Sequence, residues 1–301
     1  MCKTKSRQGK PAWLKKHLPR GGEYAKVTRL LAGAKLHTVC QEANCPNMFE
    51  CFSKDTATFM ILGDQCTRHC RFCNITSLPP LPVDPNEPAR VAQAALDLGL
   101  QYVVVTSVTR DDLPDGGAAH FAAVIKALRK MGNHTGQTIR VEVLIPDFKG
   151  DMAALKTVVD AQPDVINHNM ETVAELYPQV RPEAMYQRSL DLIKQVKQLD
   201  PRMPAKSGIM VGLGETFDQL EQTMQDLYDH GCDMLTIGQY LQPTREHLQV
   251  QTYYPPEAFD ALQQHARNIG FTKVAAGPFV RSSYKAEELF QKPEHLSYFS
   301  Y

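Results

Sequence analysis

Six of the eight cysteines in this 301-residue chain fall into two triplets: Cys40, Cys45 and Cys51, then Cys66, Cys70 and Cys73. Any fold must account for both. Each triplet offers three thiolates, one short of the four that complete an ordinary iron–sulfur cluster. A cluster held this way keeps one iron open to something besides cysteine, and chemistry can occur there. Other uses of cysteine fit less well. Disulfides need an oxidising compartment, and the opening residues Met1-Cys2-Lys3-Thr4-Lys5-Ser6 lack the apolar run of a secretory signal. Structural zinc favours Cys-x-x-Cys pairs or His-containing sets of four, a format that Cys66-x-x-x-Cys70-x-x-Cys73 does not follow. Cys2 and Cys232 stand apart, and Cys232 lies in an apolar stretch as a small core residue.

The chain is 43% hydrophobic with a formal net charge of zero, which suits one large α/β domain. No apolar run approaches membrane-spanning length. The sequence therefore predicts a soluble protein, monomeric by default, with no membrane partner. The free thiols place it in the cytoplasm or an equivalent reducing compartment. Charge is uneven: residues 1–39 hold ten Lys or Arg against one acid, Glu23. Such a block is a solvated tail or a docking arm for an acidic partner. It carries no interleaved aromatics or RNA- or DNA-binding motif, so no nucleic-acid partner is expected.

From residue 58 onward, β-rich runs alternate with helical stretches. Strands are expected at 58–62, 101–106, 139–144, 164–168, 206–212 and 234–238. Helices are expected near 88–98, 117–131, 151–160, 171–176, 182–199, 216–230 and 256–269. Pro88 suits a helix's first turn, and Gly99 ends that helix. The alternation implies βαβ units on a parallel sheet, and right-handed crossovers curl such a sheet toward a barrel. Six strands predict an α/β fold, a partial (β/α)6 parallel barrel over residues 58–270. An N-terminal extension, 1–57, precedes it and a C-terminal extension, 271–301, follows. Ligands of parallel α/β folds gather at the carboxyl ends of strands. Cys66, Cys70 and Cys73 directly follow the first strand and so occupy that rim. The other triplet must fold back over the rim if the two sites are to cooperate.

Cys66-x-x-x-Cys70-x-x-Cys73 resembles the hallmark of the radical S-adenosylmethionine superfamily, and Phe72 matches the aromatic usual before its last cysteine. The resemblance implies that these thiolates hold three irons of a 4Fe–4S cluster and that S-adenosylmethionine chelates the fourth. One electron then breaks the sulfonium bond and yields a 5′-deoxyadenosyl radical; the cofactor does the hard chemistry and the protein aims it. Cys40-x-x-x-x-Cys45-x-x-x-x-x-Cys51 and Arg281-Ser282-Ser283-Tyr284 are similar to the auxiliary-cluster motifs of the lipoyl synthase family. The segments 108–117 and 167–173 also resemble that family, and the likeness runs over roughly residues 12–286. One triplet alone would indicate only the superfamily; two triplets with Arg-Ser-Ser-Tyr specify the family.

The resemblance implies a sulfurtransferase. Its substrate is an octanoyl chain on a lysine of a lipoyl carrier domain, in a 2-oxoacid dehydrogenase acyltransferase subunit or a glycine cleavage H protein. Two S-adenosylmethionine molecules are used, carbons 6 and 8 lose hydrogen, and the auxiliary 4Fe–4S cluster gives up both sulfurs. A donor such as ferredoxin or flavodoxin supplies electrons. The family motif makes Ser283 the fourth ligand of the auxiliary cluster, although spacing alone does not separate it from Ser282. A hard oxygen among soft thiolates makes a labile corner. On structure alone, paired serines are ordinary turn residues.

Superfamily motifs also suggest cofactor contacts. These are Thr106 at the end of the second strand, Asp112 in the acidic loop 111–117 for the ammonium, and Gly212 in 208–215 for the adenine. Asn169 and Glu171 are further polar candidates, and Arg188 and Lys206 are candidates for the carboxylate. Glu142 alternates with Val141 and Val143 and faces the other side of its strand. Inside a barrel it needs a partner such as a ribose hydroxyl or Arg188. His168 fits a satisfied core histidine. The acyl pocket should be apolar, since six methylenes at ~0.8 kcal/mol each give about 5 kcal/mol of anchoring. Two other readings stay open here: another two-cluster radical enzyme such as a methylthiotransferase, and a non-catalytic metal-binding protein.

Overall fold

A computed structural model describes residues 9–15, 23–53 and 57–291. Parts of the expected basic arm (1–8 and 16–22) and the end of the expected C-terminal extension (292–301) lie outside the described residues.

The N-terminal extension is a short helical layer. Helix α1 (Glu23–Gly33) buries Val27 and Leu31, and the ring of Tyr24 stacks 4.9 Å from Phe49. A two-residue strand β1 (His37–Thr38) leads into α2 (Val39–Glu42) and α3 (Met48–Phe52). Thr38 caps α2 by accepting the Gln41 backbone N–H, which satisfies one orphan donor of the first turn.

The barrel follows as β2 (Thr58–Ile61), α4 (Glu87–Asp97), β3 (Tyr102–Ser107), α5 (Ala118–Thr135), β4 (Arg140–Leu144) and α6 (Met152–Asp160). It continues through β5 (Val165–Asn167), α7 (Tyr177–Val180), α8 (Tyr186–Leu199), β6 (Ala205–Val211), α9 (Phe217–Asp229), β7 (Met234–Gln239) and α10 (Pro256–Ile269). Then come β8 (Lys273–Gly277) and α11 (Ala286–Gln291). The sheet order is the chain order, β1 to β8; β1 pairs antiparallel to β2, and all later pairs are parallel. Among the described residues no pairing closes β8 onto β2, so the barrel is partial.

Six of the seven parallel strands fall where the alternation predicts. The seventh, β8, lies in what the sequence reading assigned to the C-terminal extension. Lys273-Val274-Ala275-Ala276-Gly277 has one β-branched residue, and its small residues give little strand signal. Gly277 sits opposite Gly238 of β7 in register, and a Cβ on Gly238 would stand 2.1 Å from the Val280 carbonyl oxygen, so the chain leaving β8 packs closely on β7.

The chain then turns back and plugs the amino end of the barrel. Leu289 of α11 packs with the inward residues Val165, Met234 and Ala275, and Ala286 packs with Tyr102 and Val104. The Phe290 ring lies 5.8 Å from Tyr102 and beneath the cations of Arg140 and Lys273, each 5.0 Å from its centroid.

Above this plug lies a buried ionic layer. Lys206 Nζ sits 2.8 Å from Glu142 Oε1, Tyr102 donates its hydroxyl to Glu142 Oε2 at 2.7 Å, and Asn167 donates to Oε1 at 3.1 Å. Glu142 does face inward, as the alternation predicts. Its partners, however, are Lys206, Tyr102 and Asn167 rather than a ribose or Arg188. Glu142 and Lys206, both expected to contact cofactor, instead neutralise each other beneath the ligand cavity. No helix of the described residues is long and apolar enough to cross a membrane.

Replacing Lys206 with Met leaves Glu142 buried without its counter-ion. The loss should be about 3–5 kcal/mol, read as a lower denaturant midpoint. Glu142→Leu combined with Lys206→Met should recover part of it. A single variant unfolding at the native midpoint would show the pair to be idle.

Candidate functional site

The carboxyl ends of the strands, with the two terminal segments folded over them, enclose a cavity of about 640 Å³. All six triplet cysteines line it. The N-terminal triplet does fold back over the rim, and Asn74, next to Cys73, donates its amide to the Glu42 carbonyl at 2.8 Å. The two cysteine motifs are therefore in direct contact.

The loop after β2 is held by backbone and charge. Cys66 N–H donates to the Thr76 carbonyl (2.9 Å), Thr67 donates its N–H and hydroxyl to the Thr109 carbonyl (3.1 and 3.0 Å), and the His247 ring meets the Cys73 carbonyl (2.9 Å). Arg68, between the first two cysteines, is buried and forks. Nε and Nη2 donate to Asp111 at 2.7 and 3.0 Å, and Nη2 also reaches Asp147 at 2.6 Å. Burial alone would raise the Asp147 pKa; the Arg68 bond and charge more than offset it and hold the carboxyl well below the usual range. Sequence reasoning treated Arg68 as a spacer. Arg71, in the same loop, is also charged but exposed, so nothing in the sequence singled out Arg68.

The auxiliary triplet rests on short helical turns. Cys45 N–H donates to the Cys40 carbonyl at 3.0 Å, and Cys51 N–H to the Asn47 carbonyl at 2.9 Å. Two bonds reach across the molecule: Asn47 Nδ2 to the Phe279 carbonyl (2.7 Å) and the Tyr284 hydroxyl to Glu50 Oε1 (2.8 Å). They bring Ser282 and Ser283 to the wall of the same cavity. Ser282 Oγ accepts from Asn169 Nδ2 at 3.2 Å.

Phe72, Thr106, Asn169 and Glu171 also line the cavity. The Thr106 hydroxyl donates to the Leu144 carbonyl at 3.0 Å. Glu171 has φ +67°, a left-handed conformation unusual for its type, and is stitched to β6 by bonds to Gly208 O (2.9 Å) and from Met210 N–H (2.8 Å). Burial pushes its carboxyl pKa up, opposed by Arg181. Arg181, missed by the sequence reading because a lone arginine in a loop carries no pattern, donates Nη1 to the Asn169 and Met170 carbonyls at 2.8 and 3.1 Å. A side chain on Gly208 would crowd Asn169 Oδ1 and Thr236 Oγ1, each 2.8 Å from its Cβ, so glycine leaves this wall open.

The donor set fits the implied groups. Burial pushes the Cys40 and Cys73 thiols up to about 12, with neighbouring cysteines adding to the effect, and burial raises Cys70 as well. Such thiols stay protonated until a cation replaces the proton, so iron uptake releases protons here. No three His, Cys, Asp or Glu side chains among the described residues converge on one point as a mononuclear metal site requires. The three-thiol sets at this cavity match the ligand format of an iron–sulfur cluster with one open iron. Asn169 Oδ1, Arg181 Nε and Ser107 Oγ are buried cavity atoms with no partner among the described residues. Such atoms cost about 1–3 kcal/mol each unless a ligand satisfies them, and an amino-acid-bearing nucleoside can.

Other expected contacts lie away from the cavity. Asp112 is held by Arg110 through two bonds of 2.9 and 2.8 Å, and that pairing lowers its pKa. Arg188 pairs with Asp147 at 3.3 Å. Gly212 donates its N–H to Glu215 Oε1 at 2.6 Å in a tight turn with φ +102°. The β6 stretch that lines the cavity is Gly208, Ile209 and Met210. His168 does reach the cavity lining, but its ring is satisfied by the Ile145 carbonyl (2.9 Å) and Ser189 Oγ (3.0 Å), as expected of a core histidine. Cys232 is likewise buried.

Comparison with known proteins agrees with this geometry. Residues 60–227 match the radical SAM superfamily, and residues 1–45 match the N-terminal domain of lipoyl synthase of that family. Lipoyl synthase of Desulfotalea psychrophila is 55% identical over 288 residues, covering 96% of this chain and 95% of its own. That of Alkaliphilus metalliredigens is 52% identical over 287 residues, covering 95% and 98%. Among solved structures, HydG, a maturase of the FeFe-hydrogenase, aligns with a TM-score of 0.51 at 14% identity, over 72% of this chain and 55% of that one. That likeness speaks for the fold alone.

Burial lowers the His168 pKa from 6.5 to about 4. An unfolded chain takes up this proton near 6.5 and the folded chain only near 4. Folding stability should therefore fall as pH drops through that window, by about 3 kcal/mol at most. His168→Gln should flatten the slope in denaturant midpoints measured between pH 7 and 4.5. An unchanged slope would assign the titration to another group.

Proposed function

The chain belongs to the lipoyl synthase family of radical S-adenosylmethionine enzymes, and from this membership we infer that it inserts sulfur at carbons 6 and 8 of a protein-bound octanoyl-lysine to give lipoyl-lysine. It is a sulfurtransferase that uses two 4Fe–4S clusters and two molecules of S-adenosylmethionine, and it acts on lipoyl carrier proteins. The observation that carries this reading is the meeting of both cysteine triplets and the Arg281-Ser282-Ser283-Tyr284 segment in one cavity. The match to a lipoyl synthase N-terminal domain disfavours a methylthiotransferase.

Cys66, Cys70 and Cys73 would hold the radical-generating cluster; Cys40, Cys45, Cys51 and Ser283 would hold the auxiliary one. The engagement of Ser282 by Asn169 supports Ser283 as the oxygen ligand. When bound, these groups supply the electron and the radical that activate an alkyl C–H bond, and the sulfur atoms. The chain's own residues bind and aim. Arg181 Nε is placed for a carboxylate, and Asn169 Oδ1 for an ammonium or a ribose hydroxyl, and each lacks another partner. Phe72, packed with Val180, Leu213 and Tyr240, forms an apolar wall beside the cysteines. Met60, Leu144 and Met210 offer apolar lining along which an acyl chain can lie.

Finer assignments extend the same reading. The carrier is an acyltransferase-subunit lipoyl domain or an H protein, and the basic N-terminal residues face its acidic surface. A ferredoxin or flavodoxin delivers electrons. The protein works as a monomer in the cytoplasm or an equivalent reducing compartment.

Anaerobic reconstitution should load about eight irons per chain, the content of two cubanes. Incubation with dithionite, S-adenosylmethionine and an octanoyl-lysine peptide should then add two sulfurs by mass spectrometry. Cys70→Ala should abolish S-adenosylmethionine cleavage. Cys45→Ala should still cleave but insert no sulfur. Wild-type cleavage by both variants would refute this division of labour.

A further inference from the structure

Ser283 lies in the turn-rich segment between β8 and α11, the one ligand of the proposed auxiliary site that no cysteine motif carries. Two long-range hydrogen bonds bracket it. Both start from residues interleaved with the auxiliary cysteines. Asn47, between Cys45 and Cys51, donates to the carbonyl of Phe279, four positions before the serine (2.7 Å). Glu50, next to Cys51, accepts from the hydroxyl of Tyr284, next to the serine (2.8 Å). The partners are 232 and 234 positions apart, so each bond fixes tertiary placement rather than local shape.

The two bonds differ in setting. Asn47 is 1% exposed and belongs to the enclosed layer. Glu50 and Tyr284 are half-buried and stand on the wall of a second cavity of about 360 Å³. That cavity also touches Cys51 and Ser283 and reaches the surface at Gly99 and Gln101. Water and small ions can thus approach the serine from a side the main cavity does not serve.

We propose that Asn47 and Glu50 are positioning residues that latch Ser283 onto the auxiliary site, with Asn47–Phe279 the fixed half and Glu50–Tyr284 the half that releases. Loss of that iron would require its bond to the Ser283 oxygen and its three bonds to cluster sulfides to be exchanged for bonds to a chelator. The iron would leave as Fe2+ with no change of oxidation state, and the serine oxygen would take a proton from solvent through the second cavity. The inference rests on the auxiliary-cluster reading above and deepens it: the cysteines set where the cluster sits, and the latch sets how readily its oxygen-bound corner opens.

The test uses the full-length chain, reconstituted anaerobically and then challenged with an iron chelator. Iron release is timed, and the three-iron cluster is followed by EPR after mild oxidation. Tyr284→Phe and Glu50→Ala should release one iron per chain roughly three- to tenfold faster than the native chain, the range one hydrogen bond provides. Glu50→Gln, whose amide oxygen still accepts, should stay near the native rate. Equal release rates in all four proteins would overturn the latch, as would loss of the whole auxiliary cluster at once in Tyr284→Phe. A native chain holding only four irons would remove the auxiliary cluster itself and the latch with it. A native chain with eight irons but indifferent variants would sink the latch alone.

Discussion

A buried guanidinium holds the rim of this barrel together. Arg68 sits inside the cysteine loop after β2 and reaches Asp111 after β3 and Asp147 after β4. Charge-assisted, forked bonds of this kind are the strong ones, because both partners are ionised and the geometry is fixed. They are also expensive to form, since three charges leave water together. The site uses that cost. Loops that would otherwise move independently are tied to one planar group, and the three thiols around it are presented to one cavity. Arg188 adds a second cation to Asp147 from the edge, so the carboxylate is neutralised from two sides.

The barrel interior is divided by height. At the amino end, α11 fills the opening with Leu289 and Phe290, which makes the C-terminal segment part of the core. The Glu142–Lys206 layer comes next, and one inward position further up each strand, Leu144 and Gly208 already line the cavity. Small residues at Gly208 and Gly238 keep that upper level open. The segment that carries Ser283 is held at its start by the Asn47–Phe279 bond and beyond its end by the packing of Phe290 on Tyr102.

Burial acts in two directions at Cys40, Cys70 and Cys73. It raises the pKa of each thiol, to about 12 at Cys40 and Cys73, and keeps them protonated while no cation is bound. It also shields a loaded site from water and oxidants. An oxygen ligand is the weaker member of a thiolate set, and a cluster that must yield sulfur benefits from one corner that opens first. In the proposed ligand set, six soft ligands from two compact motifs and one hard ligand from a distant segment would divide permanence from release.

Local pattern carried most of the architecture. The alternation of β-rich and helical runs located six of seven parallel strands, and cysteine spacing with the Arg-Ser-Ser-Tyr run pointed to the family. Strand alternation even turned Glu142 inward. It could not name the partner, because Lys206 lies 64 positions away and periodicity fixes a face, not a neighbour. The same limit hid the roles of Arg68 and Arg181 and left Asp112 to look like a ligand when Arg110 holds it. Strand β8 escaped because its Ala and Gly residues carry little strand propensity. Sequence alone determined the two cysteine triplets, their spacing and the strand that the second one follows, since those are properties of residue type and local pattern. Only the tertiary structure decided which charges cancel one another and which buried polar atoms stay unpartnered in the cavity, because those depend on distances between segments the chain separates by tens to hundreds of positions.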